Sequence, residues 1–435
     1  VLSIKSHTNL FNKEGSVNLL GACQMSVNTR SMPDASNSFN ARMHTICPLP
    51  IRSVKQRFKP NAELFQMMEI FRQMVNDCMR IGLEHNCSTI RKLSPLAYYQ
   101  LENHSIMSYY KLTAISQACG RLSQMKKDIK KGRKPKSPYV QKPYLVSCYG
   151  FKINGMLLSI PIRNRDYANI LLNDHTTKTI SDKSLKIKSF TITPTSLSLS
   201  MQKEIEMINP EKTIGIDRNE RNITFGNDEK VVYVDTTKLS KMKEKYSSIK
   251  STFKRNDHRI RKKIYGKFGK RQSNRERQAL HIASKCIVEY AKKQKAMIIF
   301  EDIKGIRKLY KKGNGQGKKF RRKMNSWSFY ELERQVKYKA DWEGVPVKFI
   351  DPKRTSTLCP ICGGRLQEDR QRSRDLWCSS CKRWRNRDVI ASMNIAYKGW
   401  VRFIHPCDTC EAMKGNPKEP VILRVDVSKC LEVCL

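Results

Sequence analysis

Acidic residues are what this 435-residue sequence is short of: 39 Asp and Glu stand against 84 Lys and Arg, a formal charge of +45. Self-repulsion of that size works against a compact chain unless a polyanion neutralises it, and it far exceeds what solubility requires. Nucleic acid is therefore the partner to expect. The sequence has no apolar run of about 18 residues and no long basic helix with a clean apolar face, so no membrane partner is expected. The N-terminus lacks a charged start followed by roughly 7 to 15 apolar residues, so a secretory signal is not expected either. The fifteen cysteines should then be reduced, in a cytoplasmic protein or, for a eukaryotic or viral source, a nuclear one. The Gly-rich stretch GNGQG (313 to 317) lacks the strand-to-helix setting and the Lys-Ser/Thr pair of a phosphate-binding loop and reads as a linker.

What is present divides into several segments, and 39% hydrophobic content suffices for two or three domains with cores. Residues 1 to 50, rich in Ser and Asn and closed by Pro48 and Pro50, read as a poorly ordered extension. Residues 51 to 60 and 139 to 205 hold short alternating segments, expected to be antiparallel strands of a small β-barrel-like domain. Between them, residues 61 to 138 form a helical module, with Leu64, Met67, Met68, Phe71, Met74 and Val75 at helical spacing. Its tyrosines Tyr98, Tyr99, Tyr109 and Tyr110 read as core residues before stacking platforms. From 206 to 352 strands and helices alternate: TIGIDRNERNITFGNDEKVVYVDT predicts short strands turning at Gly226 and Asn227, while AMIIFED and VPVKFID predict buried strands. A cysteine-rich insert (353 to 385), an apolar helix (386 to 400) and a tail (401 to 435) follow. The pattern predicts a multidomain α/β protein with a mixed sheet of the RNase H type.

Three carboxylates fall at the ends of predicted core elements: Asp217 after TIGI, Glu301 after MIIF, and Asp388 at the head of the helix DVIASMNIA. Metal-dependent phosphodiester cleavage uses such acids, because two Mg²⁺ ions about 4 Å apart need hard oxygen ligands. Taken singly, each acid reads more readily as a helix cap or a solvated strand end. The spacing Cys359-x2-Cys362-x15-Cys378-x2-Cys381 is more specific, since two CxxC knuckles complete a tetrahedral all-thiolate Zn²⁺ site. With every position filled, that zinc is structural. Trp377 and Trp384 either cover the ribbon or stack on bases. Cys407-x2-Cys410 and Cys430-x3-Cys434 leave two readings open, a second zinc site or reduced thiols in a tail. The remaining cysteines have no metal spacing.

Basic residues cluster in three runs, at 125 to 142, 238 to 271 and 304 to 323; the second holds fourteen Lys or Arg against two acids. Three such runs in one chain argue for phosphate contact. The residues expected to make it are Lys254, Arg255, Arg259, Arg261, Lys262, Lys263, Arg321, Arg322, Lys353, Arg354 and Arg387.

At GIDRN, FEDIKGI, TSTLCPICGG, CSSC and NRDVIASMNIA the sequence resembles the TnpB family of transposon-encoded RNA-guided nucleases, which are similar to the miniature type V CRISPR effectors. The resemblance spans about residues 50 to 400 and is strongest from 213 onward. It implies a RuvC-type nuclease domain split by the ribbon, with Asp217, Glu301 and Asp388 as a Mg²⁺-binding catalytic triad. It also implies a ribbon that binds target nucleic acid and a front half that recognises guide RNA and a short motif beside the target. The partners implied are a guide RNA, the double-stranded target DNA and its displaced strand, with one or two copies of the chain on the RNA. The family commonly reads DRDxNAAxNI at its third motif; here Asn386 and Ile390 depart from it, while Asp388 is kept. Two rivals remain: a compact type V CRISPR effector, and a non-enzymatic zinc-ribbon regulator that binds nucleic acid.

Overall fold

The structure is a computed structural model and describes residues 50–253, 257–311, 313–369, 371–372, 374–405 and 419–434. The extension 1 to 49 lies outside the described residues. The chain forms two compact units that part between Glu204 and Ile205.

In the first unit, β1 (Ile51–Arg57) is separated by about 140 residues from its antiparallel partner β7 (Ser196–Lys203), and everything between is inserted. The helices α1 (Ala62–Glu84), α2 (Ile90–Ala97) and α3 (Ser108–Lys130) come first. Asn61 starts α1 by accepting a hydrogen bond from the Leu64 amide at 2.9 Å, which satisfies one orphan donor of the first turn. The helical repeat of Leu64, Met68, Phe71 and Val75 turns into a buried stripe. Strands β2 (Leu145–Ser147), β3 (Lys152–Asn154), β4 (Leu157–Arg163) and β5 (Asp166–Leu171), helix α4 (Asp174–Ile180) and strand β6 (Leu185–Thr193) complete the insertion. They make two antiparallel sheets, ordered β1-β7-β6-β2 and β3-β4-β5. Of the four tyrosines, Tyr110 is fully buried and donates to the Pro161 carbonyl, whereas Tyr99 is 72% exposed.

The second unit is built on a six-stranded sheet with the order β12-β11-β8-β9-β10-β16. Strand β8 (Lys212–Arg218) lies antiparallel to β9 (Asn222–Gly226), which is antiparallel to β10 (Lys230–Asp235); the turn falls at Asn227, whose side chain accepts from the amides of Glu229 and Lys230. On its other side β8 runs parallel to β11 (Ala296–Glu301), itself parallel to β12 (Val347–Ile350). Helix α5 (Thr237–Ser251) follows β10, and the turn α6 (His258–Ile260) runs through a π-helical stretch, Arg261–Tyr265, into the long helix α7 (Gly266–Lys293). Helices α8 (Lys318–Asn325) and α9 (Phe329–Glu343) connect β11 to β12. Side chains alternate along a strand, so Ile214, Ile216, Ile298 and Phe300 share one core with α7 and α9. Met297 and Ile299 face the opposite way, with Ile395 of α10 (Arg387–Phe403). Burial on both faces is why β11 reads as a continuous apolar run.

Helix α10 lies close to the sheet because Gly215 has no side chain. A Cβ there would overlap the Ser392 carbonyl and the Ala396 amide of α10. Two hydrogen bonds lock the crossing, from Ser392 Oγ to the Gly215 carbonyl at 3.0 Å and from Thr213 Oγ1 to the Ala396 carbonyl at 2.7 Å. Gly215→Ala therefore has to displace backbone, an overpacking cost of about 1 to 3 kcal/mol or more. It is expected to lower the melting temperature by roughly 3 to 10 °C, measured by scanning calorimetry. An unchanged melting temperature would contradict the close approach.

Between β12 and α10 stands a small antiparallel sheet, β13 (Leu366–Glu368), β14 (Asp375–Cys378) and β15 (Arg383–Asn386). Its last strand runs directly into α10. The sequence beyond 400 differs from the expected tail: β16 (Val421–Asp426) extends the sheet parallel to β10, and α11 (Cys430–Cys434) sets Cys430 into the core beside α7. The reason is that β10 would otherwise present an open edge, and β16 pairs its unmet N–H and C=O groups. No helix among the described residues is long and apolar enough to cross a membrane.

Candidate active site

The three acids are delivered by the C-terminal ends of two adjacent parallel strands and the head of the helix packed against them. Asp217 is the penultimate residue of β8, Glu301 ends β11, and Asp388 is the second residue of α10. All three line one cleft of about 780 Å³, together with Asn219, Arg374, Arg387, Lys323, Trp327 and others. A single nitrogen, Asn219 Nδ2, donates to Asp217 Oδ2 at 2.7 Å and to Asp388 Oδ1 at 3.0 Å.

Each acid is oriented by its own partners. Asp388 is almost wholly buried; Asn222 Nδ2 donates to its Oδ2 at 2.6 Å and Arg374 Nη1 to its Oδ1 at 3.0 Å. Asn386 caps α10 by accepting from the Asp388 amide at 3.1 Å, so an amide side chain serves where an acid was expected. Ile390, the other departure, packs with Leu366, Leu376, Cys359 and Cys378 in the core of the ribbon. Glu301 accepts from Thr355 Oγ1 at 2.6 Å, and the loop carrying Thr355 is tied to α10 through Asn394, whose Nδ2 donates to the Thr355 and Leu358 carbonyls. Arg218 points away from Asp217 and is buried: it pairs with Glu333 at 2.9 Å, donates to the Glu301 backbone carbonyl at 2.6 Å and lies over the Phe300 ring. It thereby joins the ends of β8 and β11 with its charge met inside the protein.

Holding carboxylates together in one half-buried cleft perturbs two of them. Burial, reinforced by the charges of Glu301 and Asp388, pushes the Asp217 carboxyl up to about 8. Burial raises Glu301 as well, against the Thr355 hydrogen bond and the Arg218 charge. Hard oxygen donors that repel one another fit a divalent cation, which would relieve the repulsion. The sign of the pH effect follows. Without divalent cation in the cleft, folded Asp217 keeps its proton between about pH 4 and pH 8, where the unfolded chain has lost it. The folded state then binds more protons, so stability falls as pH rises through that window. Melting temperatures recorded from about pH 5 to pH 8 without added cation should decline, and less steeply for Asp217→Asn; equal slopes would exclude Asp217 as the cause.

The four ribbon cysteines converge. Their sulfurs all lie within 4.8 Å of one another, with Cys359 to Cys381 at 3.9 Å and Cys362 to Cys378 at 3.4 Å. A tetrahedron with Zn–S bonds of about 2.3 Å has edges of about 3.8 Å, so the set fits zinc. Both knuckles turn through a left-handed residue, Gly363 and Lys382, and backbone N–H groups point at sulfur from Gly364 and Cys381. This is the one candidate cluster of thiols among the described residues. Cys407 and Cys410 lie outside the described residues, as does the side chain of Cys434. Cys286 is disulfide-bonded, against the expectation that every cysteine is reduced. Trp377 and Trp384 pack 5.3 Å apart, and Arg372 lies over the Trp384 ring.

Of the basic candidates, Arg387 lines the cleft. Arg259, Lys262 and Lys263 are exposed on the turn before α7; Arg322 and, more shielded, Arg321 lie on α8; Lys353 and Arg354 are exposed after β12. Lys254 and Arg255 are outside the described residues, as is the side chain of Arg261. Sequence reasoning missed Arg374, Asn219, Asn222 and Thr355. Asn219 closes the GIDRN motif two residues after Asp217; no spacing announces the other three, which reach their acids only through the fold.

Comparison with known proteins bears on the family. The model of the Cas12f1-like TNB domain matches residues 329–395, from α9 through the ribbon into α10. A TnpB-like protein of Methanocaldococcus jannaschii is 32% identical over 262 residues, covering 57% of this chain and 92% of that protein. The CRISPR-associated endodeoxyribonuclease Cas12f1 of Sulfoacidibacillus thermotolerans is 32% identical over 117 residues, only 27% of this chain and 25% of its own. A chain in a cryo-EM structure of a Cas12f1-sgRNA-target DNA complex aligns with a TM-score of 0.54 at 14% identity, over 77% of this chain and 81% of that one, a likeness of fold. The match over nearly the whole length of the Methanocaldococcus protein, with the ribbon and its flanking helices matched besides, shows that this chain belongs to the TnpB family and is related to the miniature type V effectors.

Proposed function

We propose that this chain is an RNA-guided DNA endonuclease that hydrolyses a phosphodiester of target DNA at the cleft holding Asp217, Glu301 and Asp388. The observation that carries the reading is the convergence of these three acids in one cleft of a chain whose charge is +45. The strand directions and order β10-β9-β8-β11-β12 support an RNase H-like domain of the RuvC type. The relatives' names support the guide: one is an endodeoxyribonuclease of CRISPR systems, and the solved complex holds guide RNA and target DNA.

Two Mg²⁺ ions, held by the three carboxylates, would supply the Lewis acidity that favours attack by water and departure of the sugar oxygen. The protein's own part is positional. Strand ends and a helix head fix the acids; Asn222, Thr355 and Arg374 fix their oxygens. Arg387 and Lys323, in the wall of the same cleft, hold the phosphate of the entering strand. Water adds to phosphorus, the bond to the 3′-oxygen breaks, and the products are a 3′-hydroxyl and a 5′-phosphate. Zn²⁺ in the ribbon is structural. Sequence choice falls to base pairing with the guide, which suits a protein with much phosphate-binding charge.

The test is to purify the protein with its RNA, sequence that RNA, and supply DNA matching its variable end with and without Mg²⁺. Cleavage of matched DNA alone, and only with Mg²⁺, is expected. Binding without cleavage would favour the regulator. The Cas12f1 matches keep a CRISPR source for the guide as a second reading; a repeat array beside the gene favours it, transposon ends the first.

A further inference from the structure

The side-chain amide of Asn219 stands between the two carboxylates that the proposed metal site brings together. Its Nδ2 lies 2.7 Å from Asp217 Oδ2 and 3.0 Å from Asp388 Oδ1. The reverse orientation would set Oδ1 against two carboxylate oxygens, so the donor orientation is the one the chemistry selects. A cation bound by those oxygens would compete with the amide nitrogen for them. Asn219 cannot yield by moving its backbone: its amide donates to the Asn222 carbonyl at 3.0 Å, and its carbonyl accepts from Trp327 Nε1 at 3.1 Å. Rotation of the side chain is what takes the amide away from the two oxygens; Arg374 Nη1, which donates to the same Asp388 Oδ1, remains. The other donors to these acids, Asn222 and Arg374, each hydrogen-bond Asp388. Among the described residues, Asn219 is the one side chain with hydrogen bonds to both Asp217 and Asp388.

We propose that Asn219 is a positioning residue that holds the Asp217 and Asp388 carboxylates together before metal arrives and swings out as the cation enters, thereby setting the divalent-cation concentration at which the site fills. This rests on the metal-site reading above. Two opposed effects follow from removing the amide. The amide no longer competes for the two oxygens, which favours the cation; the pair also loses a tether, which disfavours it. Competition wins, because two hydrogen bonds to carboxyl oxygens are broken when the cation enters, while Asp388 is still held by Asn222 and Arg374 and Asp217 by its strand.

Mn²⁺ serves as the probe, titrated into full-length protein carrying its co-purified RNA, with free Mn²⁺ followed by electron paramagnetic resonance. The sites that matter are those lost in Asp217→Ala. Asn219→Ala is expected to fill them at about tenfold lower Mn²⁺ than the unaltered protein. Its melting temperature without Mn²⁺ should be lower and its rise on adding Mn²⁺ larger. Unchanged affinity overturns the proposal, and weaker affinity overturns it by showing that the tether, or ligation by the amide oxygen, outweighs the competition. Should Asn219→Ala not fold, a structure of the unaltered protein with Mn²⁺ decides: Asn219 Nδ2 turned away from both carboxylates sustains the proposal, and both hydrogen bonds kept alongside Mn²⁺ overturn it. If Asp217→Ala removes no Mn²⁺ site, the metal-site reading itself has failed and this proposal falls with it.

Discussion

Asp217→Ala is expected to reduce target cleavage by about three to four orders of magnitude, since stabilisation of the charge built up in phosphodiester hydrolysis by a bound cation amounts to several kcal/mol and each 1.36 kcal/mol is tenfold in rate. The position is more exacting than its strand-end setting suggests. Asp217 shares the Asn219 amide with Asp388, and its carboxyl is raised by burial and by the charges of both other acids. Its loss therefore removes one of the proposed cation ligands and leaves the Asn219 amide bound to Asp388 alone. Binding of the guide should stay within about twofold, because surface electrostatics hold RNA across many phosphates and one interior carboxylate adds little. The decisive measurement is single-turnover cleavage of matched DNA beside RNA binding by filter retention. Retained Mg²⁺-dependent cleavage would sink the assignment, and loss of RNA binding in step with cleavage would show a folding defect instead.

Removing zinc is expected to have an effect of comparable size by a different route. The ribbon's apolar core consists of Cys359, Leu366, Leu376, Cys378 and Ile390, too few residues to order a segment of its length. Structural zinc in small modules contributes on the order of 10 kcal/mol, so Cys378→Ser should leave the segment unfolded. The consequence reaches the cleft. Arg374, which donates to Asp388, precedes β14, and β15 continues directly into α10. Loss of bound zinc, new tryptic cuts at Arg365 and Lys382, and loss of most cleavage activity should appear together. Zinc retained at one equivalent with full activity would refute the dependence.

The sequence determined the features whose physics is local. Two cysteine pairs at knuckle spacing define a metal site within about 23 residues, since each pair and its turn need only their own backbone. The buried stripe of α1 and the apolar run of β11 were legible for the same reason: periodicity follows from the geometry of a helix or a strand. The three acids were legible as candidates, because charge at the end of an apolar strand is conspicuous, but as a set only through the family resemblance. Nothing in the chain relates Asp217 to Glu301 or Asp388 until β8 pairs with β11 and α10 is drawn onto Gly215. Residues beyond 400 were read as a tail because Val421–Asp426 is short and half exposed, and only the open edge of β10 gives it a place. Most partners of the acids were beyond sequence: Asn219 stands beside Asp217 in GIDRN, but nothing there relates it to Asp388. Asn219 and Asp388 meet across 169 residues, and polar side chains that orient a carboxylate carry no spacing of their own, since their geometry is set by which strand ends and helix heads the tertiary fold brings to one cleft.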